Sequence, residues 1–192
     1  MKKILFFILI FIGIISNSNS EDINRIVVGN KDAKISIIAF ESLTCSHCAD
    51  FHKEVYPKLK KEYLDTGLAK IEFRHFPLDI AAFNASKVSQ CKNDGDSNIL
   101  NTLFANQQKW VKGNSAEEAN KNLKKFLTEE GINVDFEACI NNKKIEDFVL
   151  NDRIDGVKNF KVNATPTIII NDKKFEKTLN YKNLKKALEK LI

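Results

Sequence analysis

The sequence contains few of the residues that break regular structure and few that typically carry chemistry. Among 192 residues there are seven glycines, three prolines, four cysteines and three histidines. With so little glycine and proline the chain is not a low-complexity segment, and we find no internal repeat. Any chemistry that depends on thiols or imidazoles must therefore come from a small number of positions.

The sequence also lacks a block of like charge. Its formal net charge is +5, and the lysines are scattered among glutamate, aspartate and asparagine. A charge this small and this dispersed is typical of a solvated surface. We therefore expect no nucleic-acid partner.

The sequence has no apolar run as long as the ~20 residues that a membrane-spanning helix needs. Its most apolar stretch is the twelve residues 4–15, preceded by two lysines and followed by small polar residues up to Ser20. This layout predicts a secretory signal peptide over residues 1–20, with cleavage after Ser20 or Ser18, and export to the periplasm. An uncleaved anchor is the alternative. Because no cysteine lies at the cleavage point, a lipoprotein signal is not expected.

The 172 residues that follow suit one domain, or one domain with an insertion. The residue pattern predicts a mixed central sheet covered by helices, with a first part over 21–77, a helical insertion over 78–150 and a second part over 151–192. Residues 78–160 read as several helices, one of which is expected to bury Ile145, Phe148, Val149 and Ile154. The predicted strands are 26–28, 34–40, 69–76 and 168–170, with a return strand from Phe175; a helix over 48–64 is expected to be kinked or divided by Pro57, and a last helix covers 181–192.

The motif Cys45-Ser46-His47-Cys48 stands at the predicted start of a helix. Cys45 is expected at the N-cap, where free backbone N–H groups and the helix dipole favour a thiolate. Cys48, one turn further on, is expected to be buried and to resolve mixed disulfides. The His47 imidazole is expected to stabilise the thiolate further. The motif therefore predicts thiol–disulfide exchange.

A single pair of cysteines at this spacing is also compatible with metal binding. Cys45, His47, Cys48 and His52 offer four ligands for copper or zinc. A structural zinc site usually has a second close pair, which this sequence lacks. We therefore expect no metal, and we interpret His52 as a plain helix-face residue without a ligand role. His75, at the end of a strand, is interpreted as structural.

The remaining cysteines, Cys91 and Cys139, both lie in the predicted insertion. An even number of cysteines in an exported chain allows two disulfides. We therefore predict a structural disulfide between them; two buried free thiols are the alternative.

Thr165-Pro166 opens a predicted buried strand, a position that usually excludes proline. A cis peptide bond there would leave the preceding backbone groups free to bind an extended substrate chain. An ordinary trans proline at the first residue of a strand is the alternative.

Three stretches together resemble DsbA-like protein-disulfide oxidoreductases over about residues 24–192. The resemblance implies a thioredoxin-like fold, oxidation of cysteine pairs in reduced exported proteins, a cis Pro166 beside the active disulfide, and reoxidation by a membrane partner linked to quinones. The three stretches are Phe40 to Cys48 (FESLTCSHC), Phe73 to Leu78 (FRHFPL) and Ala164 to Thr167 (ATPT).

Two positions depart from the family pattern. Ala39 stands where some members carry a buried acid that relays protons, six residues before the first cysteine. Thr165 precedes the proline, as in less oxidising members. A disulfide reductase or isomerase therefore remains an alternative. Isomerases usually carry an extra dimerisation domain, for which we expect no room before the first strand. We expect a monomer without a cofactor.

Overall fold

The computed structural model describes residues 22–192. The predicted signal peptide over residues 1–20 lies outside the described residues. Within residues 22–192, no helix is both long enough and apolar enough to cross a membrane.

A five-stranded mixed sheet forms the centre of the molecule, with the strand order β1-β3-β2-β4-β5. Strands β2 and β3 are parallel, whereas the β1–β3, β2–β4 and β4–β5 pairs are antiparallel. This arrangement confirms the predicted α/β fold with a mixed central sheet. The strands are β1 Ile26–Gly29, β2 Ile35–Glu41, β3 Ala69–His75, β4 Thr167–Ile170 and β5 Lys173–Lys174.

Helices cover both faces of the sheet, and most of them lie between β3 and β4. The helices are α1 Ser46–Asp50, α2 Tyr56–Leu59, α3 Ile80–Gln90, α4 Asn98–Ala105, α5 Gln107–Trp110, α6 Ala116–Glu129, α7 Phe136–Asn141, α8 Lys143–Phe160 and α9 Tyr181–Leu188. The predicted boundary between residues 150 and 151 falls inside α8, so it does not separate two elements.

Pro57 interrupts the helical pattern without ending the helix. It lies in the first turn of α2, and π-helical turns flank α2 at Phe51–Val55 and Lys60–Leu64. Proline has no N–H to donate to the preceding turn, so the helix changes its hydrogen-bond register around it. Residues 46–64 thus stay helical. Of the two effects expected of Pro57, a kink or a division, the division into two separate helices is wrong.

Strand β2 is buried along nearly its whole length, and its two faces contact different cores. Ile35, Ile37 and Ala39 face the larger core, which includes Cys48. Ile38 and Phe40 face a smaller cluster on the other side. Because side chains alternate along a strand, Glu41 lies on the same face as Ala39 and points toward the cysteine motif.

The buried face of α8 differs from the predicted one. Ile145, Val149, Asp152 and Gly156 are the buried residues, whereas Ile154 is 47% exposed. The prediction for Ile154 is wrong because the face is set by the i, i+4, i+7, i+11 spacing, which selects Asp152 and Gly156. Asp152 is tolerated inside because it accepts hydrogen bonds from Arg25 and from the His75 backbone.

Candidate active site

The cysteine motif lies where strand β2 passes into helix α1. Cys45 has extended backbone dihedrals at the N-cap, and its carbonyl accepts hydrogen bonds from the N–H groups of Cys48 and Ala49 at 3.1 and 3.2 Å. Cys45 is partly exposed and Cys48 is fully buried, and both are reduced. The two thiols therefore occupy different environments although they are three residues apart.

The environment of Cys45 stabilises its thiolate. The pKa of Cys45 is lowered to about 5, chiefly by a hydrogen bond from the Cys48 thiol, with partial burial opposing the shift. The nearby Thr165 and the backbone N–H groups of Cys48 and His47 lower it further. At neutral pH, Cys45 is thus present as the nucleophilic thiolate.

The environment of Cys48 has the opposite effect. Burial raises the pKa of the Cys48 thiol far above its ordinary value, and the hydrogen bond to Cys45 and the negative charge of Glu41 add to the rise. Cys48 therefore stays protonated until a base accepts its proton.

His47 contributes through its backbone. Its side chain is 82% exposed, and Nδ1 lies 3.7 Å from Oδ2 of Asp50. The group of His47 that lowers the pKa of Cys45 is the main-chain N–H at the start of α1. A contribution from the imidazole stays a prediction.

The second predicted segment of the site lies against the first. The Thr165–Pro166 peptide bond is cis. The carbonyl oxygen of Thr165 lies 3.3 Å from Sγ of Cys45. The entry to β4 is thus placed beside the exposed cysteine because β4 pairs with β2, the strand that leads into α1.

Beneath the cysteines lies a buried pair that the sequence analysis missed. Nε2 of His52 lies 2.9 Å from Oε2 of Glu41, and both side chains are at most 5% exposed. His52 was expected to be a plain helix-face residue, but the helix turns this position toward the sheet, where the ring pairs with Glu41 and stacks on Phe104 at 4.1 Å. The available signal was a glutamate two positions after Ala39, directly after the apolar run from Ile37 to Phe40.

The same pair bears on the metal alternative. His52 is engaged with Glu41, and His47 lies largely in solvent. Among residues 22–192, no three His, Cys, Asp or Glu side chains are grouped so that they could hold a metal ion. The four ligands that the alternative required are not brought together.

Gln107 of the helical segment also contacts the motif, and nothing in the sequence had indicated it. Its side-chain amide donates hydrogen bonds to the carbonyl oxygens of Leu43 at 2.9 Å and Cys45 at 3.0 Å. These bonds tie α5 to the loop before α1. The helical segment therefore helps to position the motif.

The other two cysteines lie away from the site. Cys91 and Cys139 are joined by a disulfide with a Cα–Cα distance of 5.3 Å, which links the end of α3 to α7.

His75 is buried as well. Burial and, less strongly, the charge of Arg25 lower its pKa to about 3. Its Nε2 accepts a hydrogen bond from Gln90 at 3.1 Å. His75 is thus a neutral core residue.

A cysteine pair at the N-terminus of a helix lies against a cis-proline at the entry to an interior strand of a mixed sheet. This arrangement defines a thiol–disulfide exchange site on a thioredoxin-like fold. Comparison with known proteins agrees with this class. The thioredoxin family profile matches residues 21–190. The crystal structure of Wolbachia pipientis alpha-DsbA1 is 32% identical, covers 88% of this chain and 90% of its own, and superposes with a TM-score of 0.75.

Curated relatives point the same way. Disulfide bond formation protein D of Bacillus subtilis is 28% identical over 179 residues, which are 85% of this chain and 75% of that protein. Five Rickettsia proteins, provisionally named protein-disulfide oxidoreductases, are 28–30% identical, and this chain spans only 54–66% of their length. The chain belongs to the DsbA-like protein-disulfide oxidoreductases of the thioredoxin family.

Proposed function

We propose that this protein introduces disulfide bonds into newly exported proteins by exchange at Cys45 and Cys48. The observation that carries the proposal is the opposed environment of the two thiols, since Cys45 is stabilised as a thiolate and Cys48 is kept protonated. A stabilised thiolate stabilises the reduced form, which makes the corresponding disulfide a stronger oxidant.

In the oxidised protein, a substrate thiolate attacks Sγ of Cys45 and the bond to Cys48 breaks. Sγ of Cys48 leaves with the electron pair and takes up a proton. The second substrate thiolate then attacks the substrate sulfur of the mixed disulfide and releases Cys45 as a thiolate. Two electrons pass from the substrate thiols to the cysteine pair, and the substrate gains one disulfide. In this last step Cys45 leaves readily, because its lowered pKa of about 5 makes its thiolate stable.

Thr165 and Pro166 are proposed to hold the substrate chain. They border a groove beside the motif, together with His47, Asp50, Phe51 and Leu179. An extended chain in this groove would present its cysteine to the exposed Sγ of Cys45. The proximity of the Thr165 carbonyl to that sulfur supports this placement.

Export to the periplasm and reoxidation by a quinone-linked membrane partner complete the proposal. Export rests on the signal-peptide pattern of residues 1–20. Reoxidation follows from the proposed cycle, because a partner must remove two electrons from the cysteine pair after each round of substrate oxidation. Fusion of residues 1–30 to an alkaline phosphatase that is active only after export tests the first part.

The proposed activity is tested by mixing the oxidised protein with a reduced, unfolded protein that needs disulfides to become active. We expect stoichiometric oxidation without added oxidant, and none with a Cys45→Ser variant. Thr165 is the feature that favours a reductase instead. A chain that reduces insulin disulfides efficiently but leaves the reduced substrate unoxidised would overturn the proposal in favour of the reductase.

A further inference from the structure

We propose that the groove beside the active site selects substrate chains by charge. It accepts basic side chains close to the reactive cysteine of the substrate and an acidic side chain further along. The inference rests on the proposed function, because it takes an extended protein chain as the substrate. It assigns a specificity role to Glu54 and Lys58, to which Asp50 adds, and thiol–disulfide exchange itself requires none of these three side chains.

The groove extends well past the cysteine motif. The part next to the motif is bordered by Thr165 and Pro166, and a second part continues from it toward the start of α9. The two parts share Glu54, Val55 and Leu179 as bordering residues. An extended chain whose cysteine reaches Cys45 can therefore continue along one side of the helical stretch 46–64.

One wall of the groove carries three charges at a spacing of four residues. Asp50 and Glu54 border the part next to the motif, and Lys58 borders the second part. All three residues are exposed. Because residues four apart lie on the same face of a helix, the charges form a row along the groove. With increasing distance from Cys45, the row is negative, negative and positive.

These charges are poorly compensated within the protein. Glu54, Lys58 and Lys182 take part in none of the ion pairs formed among residues 22–192. Asp50 lies 3.7 Å from Nδ1 of His47, and both side chains are largely exposed. The row can therefore interact with charges on a bound chain.

The opposite wall has the same change of charge along its length. Next to the motif it presents the uncharged Thr165 and Leu179. In the second part it presents Lys182 and Lys185. Lys185 is paired with Glu62 at 2.7 Å, so Lys182 is the uncompensated charge of this wall within the described chain. The groove is thus negative near the motif and positive at its far end.

The spacing of the row matches that of an extended chain. Four residues of helix rise about 6 Å, and two residues of an extended chain span about 6.6 Å. Alternate side chains of such a chain point the same way, so they can face successive charges of the row. Measured along the helix from Cys45, the row corresponds to about two, four and six residues from the substrate cysteine. These three positions face Asp50, Glu54 and Lys58.

The preferred substrate therefore has basic residues two and four positions from its cysteine and an acidic residue at the sixth. Exposed ion pairs are individually weak, and charges at the rim of an interface act mainly on the rate of association. We expect the preference to appear in the rate at which a substrate thiol attacks Cys45.

Two symmetrical peptides with a central cysteine test the proposal. Each contains four arginines and two glutamates, separated by glycines. The matched peptide has arginine at the second and fourth positions on either side and glutamate at the sixth. The scrambled peptide has arginine at the second and sixth positions and glutamate at the fourth. Symmetry removes the direction of binding as a variable, and equal composition removes the overall charge.

The protein used is a Cys48→Ala variant in which Cys45 is joined to thionitrobenzoate. The peptide thiolate attacks Sγ of Cys45 and forms a mixed disulfide, and thionitrobenzoate leaves as a coloured thiolate with the electron pair of the broken bond. Each rate is divided by the rate of the same peptide with a small-molecule thionitrobenzoate disulfide. We expect the matched peptide to react at least about fivefold faster at low ionic strength, and added salt to reduce this ratio.

Variants in the same background assign the preference to the groove. Glu54→Gln and Lys58→Gln should each lower the ratio of the two rates toward one, because each removes a charge that distinguishes the peptides. Glu129→Gln is the matched control. Glu129 is an exposed residue of α6 that borders neither part of the groove, so its replacement should leave the ratio unchanged.

Equal normalised rates for the two peptides would overturn the proposal, as would a faster reaction of the scrambled peptide. A preference that persists undiminished in both Glu54→Gln and Lys58→Gln would also overturn it, because the groove charges would then not be its cause. Failure of thiol exchange at Cys45, on which the proposed function depends, would look different, since neither peptide would release thionitrobenzoate.

Discussion

The carbonyl oxygen of Thr165 lies 3.3 Å from Sγ of Cys45, although 120 residues separate the two in the sequence. The contact exists because β4 pairs antiparallel with β2, so the start of one strand meets the end of the other. The long helical segment is inserted between them without disturbing that pairing. The properties of Cys45 therefore depend on both halves of the sheet.

The first prediction concerns the reactivity of the two thiols. Because the pKa of Cys45 is lowered to about 5, its alkylation by iodoacetamide should rise through pH 5 and level off near pH 7. An ordinary thiol, with a pKa of about 8.5, would still be mostly protonated there. Cys48 should stay unmodified over this range, because burial raises its pKa. Peptide mass spectrometry after timed alkylation measures both; equal labelling of the two cysteines would contradict the assigned roles.

The second prediction separates the imidazole of His47 from its backbone. His47→Ser retains the main-chain N–H that lowers the pKa of Cys45, so that pKa should stay near 5. Thr165→Val removes, at nearly constant shape, the Thr165 hydroxyl, which would stabilise the thiolate by a hydrogen bond once Cys45 is ionised. Hydrogen bonds to charged groups contribute about 1.5 kcal/mol, so the pKa should rise by about one unit. Thiolate absorbance at 240 nm across a pH titration gives both values.

A clear rise in His47→Ser with no change in Thr165→Val would reverse this ranking. It would show that the imidazole, as expected from the sequence alone, stabilises the thiolate despite its exposure.

The third prediction concerns the bond between Cys91 and Cys139. Replacing both with alanine should lower the free energy of unfolding by up to about 4 kcal/mol, because the bond closes a loop of about 49 residues in the unfolded chain. Urea unfolding of the oxidised proteins measures the difference. Mild reduction of the unmodified protein should release two thiols, those of Cys45 and Cys48. Four thiols would show that the second bond is also labile.

The fourth prediction concerns the packing of α8 on the sheet. A Cβ at Gly156 would lie 2.9 Å from Cε1 of Phe40 and 3.2 Å from a ring carbon of Phe76. Phe40 is fully buried, so the ring cannot move freely. Gly156→Ala should therefore destabilise the fold by about 1–2 kcal/mol despite the higher helix propensity of alanine. Asn151→Ala, at an exposed position of the same helix, is the matched control and should not destabilise.

Sequence patterns were sufficient for features that depend on residues close together in the sequence. The cysteine motif, the strand that leads into it and Thr165-Pro166 are each a short continuous segment with a recognisable residue pattern. The mixed sheet followed because strand and helix patterns alternate in a definite order.

Features that depend on helix rotation or distant packing were not predictable in this way. His52 is buried because α1 and its π-helical turn direct that position onto Glu41 and Phe104, which the helical spacing of apolar residues does not show. Ile154 is exposed because polar Asp152 and small Gly156 take the buried positions of α8. Gln107 contacts the motif from 62 residues away.

The central claim, that the Cys45–Cys48 disulfide is an oxidant, is tested most directly by its reduction potential in glutathione redox buffers. The stabilised Cys45 thiolate predicts a potential of about −200 mV or less negative, well above the value of about −270 mV for thioredoxin. The reduced fraction can be followed by alkylation and mass spectrometry at each buffer ratio. A potential as negative as that of thioredoxin would contradict the claim and would indicate a reductase.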